Sequence, residues 1–246
     1  MNKTLNKTAS KLLTKEMLEA GTDLPDWLLK EYETFSSIVA QKDFPCTFGL
    51  SAQLKGELRY SYISHDDWAH LPETLAAFNR LFDDQERLVR HGFFLFVEPE
   101  NEEKPLEHYR EYFWNVLQHL HDKDEKNWPE AYPKDPDHHL WAFCFAGEPY
   151  FAFGNAPCYK QRKTRDLGNS LIIGFQPRKI FEGLDGATKS GARSREAVRM
   201  RVEKWDQLPK HPNISHYGDL EHREWKQYFI GDDAEPIQGK CPFSPN

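Results

Sequence analysis

The sequence predicts an α+β fold, a mixed β-sheet of about six strands covered by helices, and three observations carry that expectation. Strand-like and helix-like patterns interleave without the strict alternation that a doubly wound parallel sheet requires. Aromatic residues make up 14% of the 246 residues, so Phe, Tyr and Trp bring enough apolar area for a sizeable core despite 29% charged residues. No apolar run approaches the roughly 20 residues of a membrane span.

Taken in order, residues 1–40 read as an N-terminal arm and helix, and residues 41–246 as a single α+β domain. The arm is polar and leads into a short helix near Lys15–Ala20. Asp26 caps a second helix, Trp27–Ser37. Phe44–Leu50 and Glu57–Ile63 read as strands joined at Lys55-Gly56, which predicts a hairpin. Pro72–Arg90 is amphipathic, with Leu75, Phe78, Phe82 and Val89 on one face. Phe93–Val97 is a continuous apolar run that suits a strand buried on both faces. Pro105–Asp122 is a helix whose inner stripe is Leu106, Tyr109, Phe113, Val116 and Leu120. A Pro- and Asp-rich loop follows over 127–137.

Leu140–Ala146 and Tyr150–Gly154 read as paired strands about a Gly147-Glu148-Pro149 turn. Pro157–Asn169 is a basic loop and Ser170–Phe175 a strand. A short helix begins at Pro177, a long one spans Arg193–Leu208, and a short one lies near Glu221–Phe229. Gly183–Ser194, rich in Gly, Ser and Ala, is the best candidate for a mobile loop.

Composition narrows the function. The net charge of −7 offers no basic excess for a phosphate backbone, which argues against a nucleic-acid role. The absence of a long apolar stretch argues against a membrane role and against a signal peptide in the Lys-rich N-terminus. Cys46, Cys144, Cys158 and Cys241 are widely spaced with no CxxC pair, so reduced thiols in a cytoplasm are expected. The glycine-rich nucleotide loops, the HExxH zinc motif and the GxSxG nucleophile elbow are all absent.

Three constellations could carry chemistry. His121 sits at the edge of the inner stripe of the Pro105–Asp122 helix beside Trp114 and Leu117. It could ligate a metal or haem iron, or simply complement the helix dipole. His119 falls on the opposite, solvent-facing side. The run Lys160-Gln161-Arg162-Lys163-Thr164-Arg165 places four cations after a strand. It suits a carboxylate, a phosphate or a haem propionate, or else forms a solvated loop. Next to it, Cys158 and Tyr159 are either metal ligands or packed core residues. The Gly239–Phe243 tail reads as an anchor with Phe243 buried.

Several segments together resemble the YqcI/YcgG family. They are Phe44-Pro45-Cys46, Gly56-Glu57-Leu58-Arg59, Leu120-His121-Asp122, Trp128-Pro129, Phe143 to Phe151, and Arg162-Lys163-Thr164-Arg165. Further on come Gln176-Pro177-Arg178, Tyr217-Gly218-Asp219, Glu224-Trp225-Lys226-Gln227-Tyr228 and Cys241-Pro242-Phe243. The resemblance spans roughly residue 40 to the end. It implies a haem-dependent oxygenase that N-hydroxylates a guanidine or amine of a small amino-acid-like substrate. Haem b, molecular oxygen and an electron donor are then its partners, with the oligomeric state open. On that reading His121 is the axial ligand, Arg162 and Arg165 hold propionates or a substrate carboxylate, and Glu57 or Glu148 orients a guanidinium. Relatives commonly carry a histidine at or just before the position of Tyr159. This chain has none between His139 and His211, which makes Tyr159 and Cys158 rival ligands. Two alternatives remain from other classes: a haem-binding protein without oxygenase turnover, and a small-anion-binding domain without haem.

Overall fold

The computed structural model describes residues 9–82, 92–181 and 188–245. Five strands form one open sheet: β1 (Arg59–Ile63), β2 (Phe93–Val97), β3 (Phe143–Phe145), β4 (Glu148–Asn155) and β5 (Ile172–Pro177), in the order β1-β2-β5-β4-β3. β1 and β2 run parallel and every other pair is antiparallel, so the sheet is mixed. Six α-helices accompany it among the described residues: α1 (Lys15–Ala20), α2 (Asp26–Val39), α3 (Thr47–Leu54), α4 (Leu71–Arg80), α5 (Leu106–Asp122) and α6 (Lys189–Trp205). This is the α+β class expected, with five described strands in place of about six.

The missing strand has a specific cause. Phe44–Leu50 was expected to extend, but Thr47–Leu54 is helical, and the Sγ of Cys46 accepts the Gly49 N–H at 3.3 Å in place of the usual hydroxyl cap. Lys55-Gly56 ends that helix rather than turning a hairpin. Gly56 adopts φ +66°, its N–H donates to the Gln53 carbonyl, and the Glu57 N–H donates to that of Ala52. This pair of bonds is the Schellman closure, which favours glycine because the left-handed conformation penalises a Cβ. β1 then pairs with β2 through a crossover instead of with the 44–50 segment.

The other departures are smaller. The β3–β4 hairpin turns on Ala146 and Gly147, at φ +51° and +79°, so β4 begins at Glu148 and the expected three-residue turn is one of two residues. The expected helix after Pro177 is a 3-10 turn, Arg178–Phe181, and the tail helix is a 3-10 turn, Glu224–Gln227. The long C-terminal helix starts earlier than expected, where the Thr188 Oγ accepts the Gly191 N–H at 3.0 Å. The distal part of the expected 72–90 helix and residues 183–187 of the expected 183–194 loop lie outside the described residues, whereas Lys189–Ser194, expected in that loop, form the first turns of α6 behind the Thr188 cap.

The two sheet faces carry separate cores. Phe93, Leu95 and Val97 of β2 point to one side, where they meet α4, α5 and the C-terminal Trp225, Tyr228 and Phe243. Phe94 and Phe96 point to the other side, under Leu28, Tyr32 and Phe35 of α2. α2 is pinned by Glu31, which is 4% exposed and accepts the N–H groups of Asn169 (2.7 Å) and Ser170 (2.9 Å). No helix among the described residues is long and apolar enough to cross a membrane.

Candidate active site

The residues expected to form a site lie in different places. His121 is half-buried on α5, its ring 5.0 Å from that of Phe243 and 5.8 Å from that of Trp128. Burial holds its pKa below the usual histidine range. His119 is not on a wet face as expected. The loop before α4 folds over that side of α5, and Trp68 meets the His119 ring edge-on at 5.4 Å. Phe243 is 3% exposed, as the tail-anchor reading expects.

The basic run is not the partly exposed anion site that its composition suggests. The backbone N–H groups of Lys160, Gln161 and Arg162 all donate to the carboxylate of Asp232, at 2.8, 3.1 and 2.8 Å, so the anion at the head of this loop is the chain's own. Arg162 is 1% exposed. Its Nε donates to the Gly231 carbonyl at 2.9 Å, its Nη1 to that of Pro209 at 3.1 Å and its Nη2 to that of Asp233, and it lies 3.8 Å from the Asp206 carboxylate. Arg165 donates to the Gly154 carbonyl at 3.2 Å and lies over the Phe153 ring.

Tyr159 is 1% exposed and donates to the Ile230 carbonyl at 2.5 Å; burial raises the pKa of its phenol. Burial also pushes the Cys158 thiol up to about 11. Glu148 is engaged by Lys179 at 2.8 Å, and Glu57 is half-buried at the end of α3. All four cysteines are unpaired.

A cavity of about 360 Å³ opens on the Phe94 face of the sheet, beyond the part that α2 covers. That volume is in the range of small-molecule sites. Its floor is apolar: Leu58, Phe94 and Phe151 from the sheet, with Phe48 and Ala52 from α3. One wall is α6, whose Gly191, Ser194, Arg195, Val198 and Arg199 fall at helical spacing and so present one face to the space. The opposite wall comes from the C-terminal segment, with Ser215, His216, Tyr217, Glu224 and Gln227. Arg178 and Gln176 enter from the end of β5. None of the seven residues expected from the sequence is among those lining this cavity.

Among the described residues its polar groups are organised around one carboxylate, that of Glu224. Arg178 Nη1 donates to Glu224 Oε1 at 2.5 Å, with the two side chains only 14% and 4% exposed, and Gln227 Nε2 donates to Oε2 at 3.3 Å. Burial pushes the Glu224 pKa up, and the Arg178 cation opposes that shift. The Arg178 guanidinium lies 3.4 Å from the centre of the Tyr217 ring, whose hydroxyl is fixed by donating to the Leu140 carbonyl at 2.6 Å. His216 Nδ1 lies 3.8 Å from Asp219 Oδ2. Asp219 accepts from the Ser215 hydroxyl, which with backbone N–H bonding holds its carboxyl below the usual range. The Cys46 thiol at the cavity edge is pushed up by burial and is therefore protonated at neutral pH.

The model of the YqcI/YcgG family matches residues 35–244, a span that includes every residue lining the cavity. The chain belongs to the YqcI/YcgG family. Within it, the chain is 36% identical over 242 residues to YcgG of Bacillus subtilis (strain 168), covering 95% of this chain and 94% of that one. It is 33% identical over 230 residues to YqcI of the same organism, covering 89% of each. A more distant relative, 28% identical over 241 residues (96% of this chain, 90% of the other), is the Streptomyces lavendulae protein named "Putative N(omega)-hydroxy-L-arginine synthase DcsA". No solved structure matches the chain. Three of the segments that carry the YqcI/YcgG resemblance, Gln176-Pro177-Arg178, Tyr217-Gly218-Asp219 and Glu224 to Tyr228, are far apart in sequence and meet at the cavity.

Proposed function

We propose that this protein is an oxidoreductase that N-hydroxylates a guanidine or amine of a small amino-acid-like substrate, using haem b, in the cavity between α3, α6 and the sheet. The observation that carries this reading is the carboxylate of Glu224, set in an apolar cavity whose described lining also includes Arg178, Arg195 and Arg199. A cationic nitrogen would donate to Glu224 in a low-dielectric site, where a charge-assisted hydrogen bond is stronger than in water. Arg195 and Arg199, one turn apart on α6, would take carboxylates of the substrate or of the haem. The name of the distant Streptomyces relative supports an arginine-like substrate class.

The donor set in the cavity fits haem. Leu58, Phe94 and Phe151 offer an apolar bed for a porphyrin, and among the described residues His216 is the imidazole that lines it, on the exposed side, with the Asp219 carboxylate 3.8 Å from its Nδ1 and closer, at 3.0 Å, to His222. On this reading His216, rather than His121 on the far face of the sheet, would hold the iron. Cys46, held protonated, is a poor competitor. When bound, haem supplies the iron at which molecular oxygen is activated, with electrons from an external donor. The chain's own part is to orient the cationic nitrogen on Glu224, to hold carboxylates on α6 and to keep water off the apolar floor. The test is turnover: haem-loaded protein is incubated with L-arginine, other free guanidines and amines, a chemical or enzymatic reductant and oxygen. Products one oxygen atom heavier, formed only with haem and oxygen, are expected. A fully haem-loaded preparation that converts none of these compounds refutes the proposal.

A further inference from the structure

The cavity already contains a guanidinium, that of Arg178. It is held as a guanidinium receptor would hold it, by a carboxylate at 2.5 Å and an aromatic face at 3.4 Å. We infer that Arg178 is a built-in placeholder: its guanidinium occupies the Glu224–Tyr217 subsite in the free protein, and a ligand guanidinium binds by displacing it. This deepens the proposed function by naming the subsite for the cationic group and the contact that keeps it closed.

Three features favour exchange over a permanent ion pair. First, the contact joins Nη1 to a single carboxylate oxygen, while among the described residues Oε2 accepts a long 3.3 Å bond from Gln227. A ligand guanidinium approaching from the cavity could take both oxygens, the stronger bidentate arrangement. Second, the ring of the receptor is anchored independently of its occupant. Tyr217 is tethered through its hydroxyl to Leu140, whereas Arg178 reaches the subsite on a long side chain from the end of β5, where the strand gives way to a 3-10 turn. Third, all three residues line the same cavity, so a displaced Arg178 side chain has space to move into and stays available as a cation beside Arg195 and Arg199. Vacating the pair without a replacement would leave a buried carboxylate uncompensated, which is costly. Only a cationic ligand can therefore complete the exchange, so the placeholder also acts as a filter for positive charge.

The test is a binding measurement that needs neither haem nor turnover. Guanidinium ion and L-arginine are titrated into the purified wild type, Arg178→Met and Arg178→Gln by calorimetry, with uncharged L-citrulline as the control. If the placeholder holds the subsite closed for more than nine-tenths of the time, removing it tightens apparent binding by about tenfold or more. Glu224→Gln, alone or combined with either Arg178 variant, should weaken binding roughly 10- to 100-fold, and L-citrulline should bind weakly throughout. Unchanged or weaker arginine binding in folded Arg178 variants would overturn the inference. So would failure of both variants to fold, because a placeholder must be able to leave. A protein that binds guanidinium in this way yet takes up no haem would refute the oxygenase reading and leave this one standing.

Discussion

Arg162→Ala separates two meanings of the basic loop. Composition alone makes Arg162 an anion-binding group whose loss would affect ligand and spare the fold. The structure makes the opposite demand. Arg162 is 1% exposed and ties the carbonyls of Pro209, Gly231 and Asp233 to the loop after β4, with Asp206 alongside at 3.8 Å. Truncation strands three carbonyls and leaves a buried carboxylate without its cation, a change that costs about 3–5 kcal/mol. For a chain of this length each kcal/mol lowers Tm by about 2–4 °C, so a fall of roughly 6–20 °C is expected. Arg162→Lys should recover little, since one ammonium cannot reach three carbonyls in the plane of a guanidinium. Lys163→Ala, at an exposed neighbour, should change stability by no more than about 0.5 kcal/mol. Thermal and urea unfolding of the three variants decides it. An Arg162→Ala protein melting within about 2 °C of wild type would refute the structural role.

Further outcomes follow from other buried groups. His211 is fully buried, and burial, aided by the nearby Arg162 cation, lowers its pKa from the ordinary 6.5 to about 4. Because the unfolded chain takes up the proton first, His211 contributes stability above pH 6.5 and loses it progressively as pH falls toward 4, by roughly 3 kcal/mol in all. The urea midpoint of wild type should therefore fall more steeply over that window than that of His211→Gln, and parallel pH profiles would contradict this. A Cβ at Gly174 would sit 2.2 Å from the Phe153 ring, so Gly174→Ala should destabilise by about 1–3 kcal/mol in denaturant titration, and a neutral result would mean that the ring moves freely. All four thiols should titrate in denaturant. In the native protein at pH 7.5 they should alkylate slowly, because burial raises Cys46, Cys144, Cys158 and Cys241 alike; rapid native labelling would contradict that.

Much of the fold was legible in the sequence. The α5 boundaries matched to within one residue because Pro105 and a continuous apolar stripe mark them, and β2 matched because an unbroken apolar run of that length suits a strand buried on both faces, whereas β5 runs two residues later than the expected Ser170–Phe175 strand, through Pro177. The 44–56 region misled because α3 is apolar on several sides, so its period looks like alternation, and because Lys-Gly serves a helix end as well as a hairpin. The cavity was harder to read. Its polar residues come from the end of β5, one face of α6 and two stretches of the tail, which no local spacing connects. The signal that existed was the set of family segments containing Arg178, Tyr217 and Glu224, whose convergence only tertiary structure reveals. The dense 160–165 cluster is the stronger local signal, but its charge and N–H groups satisfy Asp232, Asp206 and loop carbonyls inside the protein.

The most direct test of the account is a haem titration read in the Soret region on wild type, His216→Ala and His121→Ala. Wild type and His121→Ala should take up haem in about equal stoichiometry, with a band that shifts on reduction and on adding carbon monoxide, and His216→Ala should lose that signature while remaining folded. A wild type that binds no haem, or a signature that survives in His216→Ala and vanishes in His121→Ala, would contradict the placement of the cofactor in this cavity.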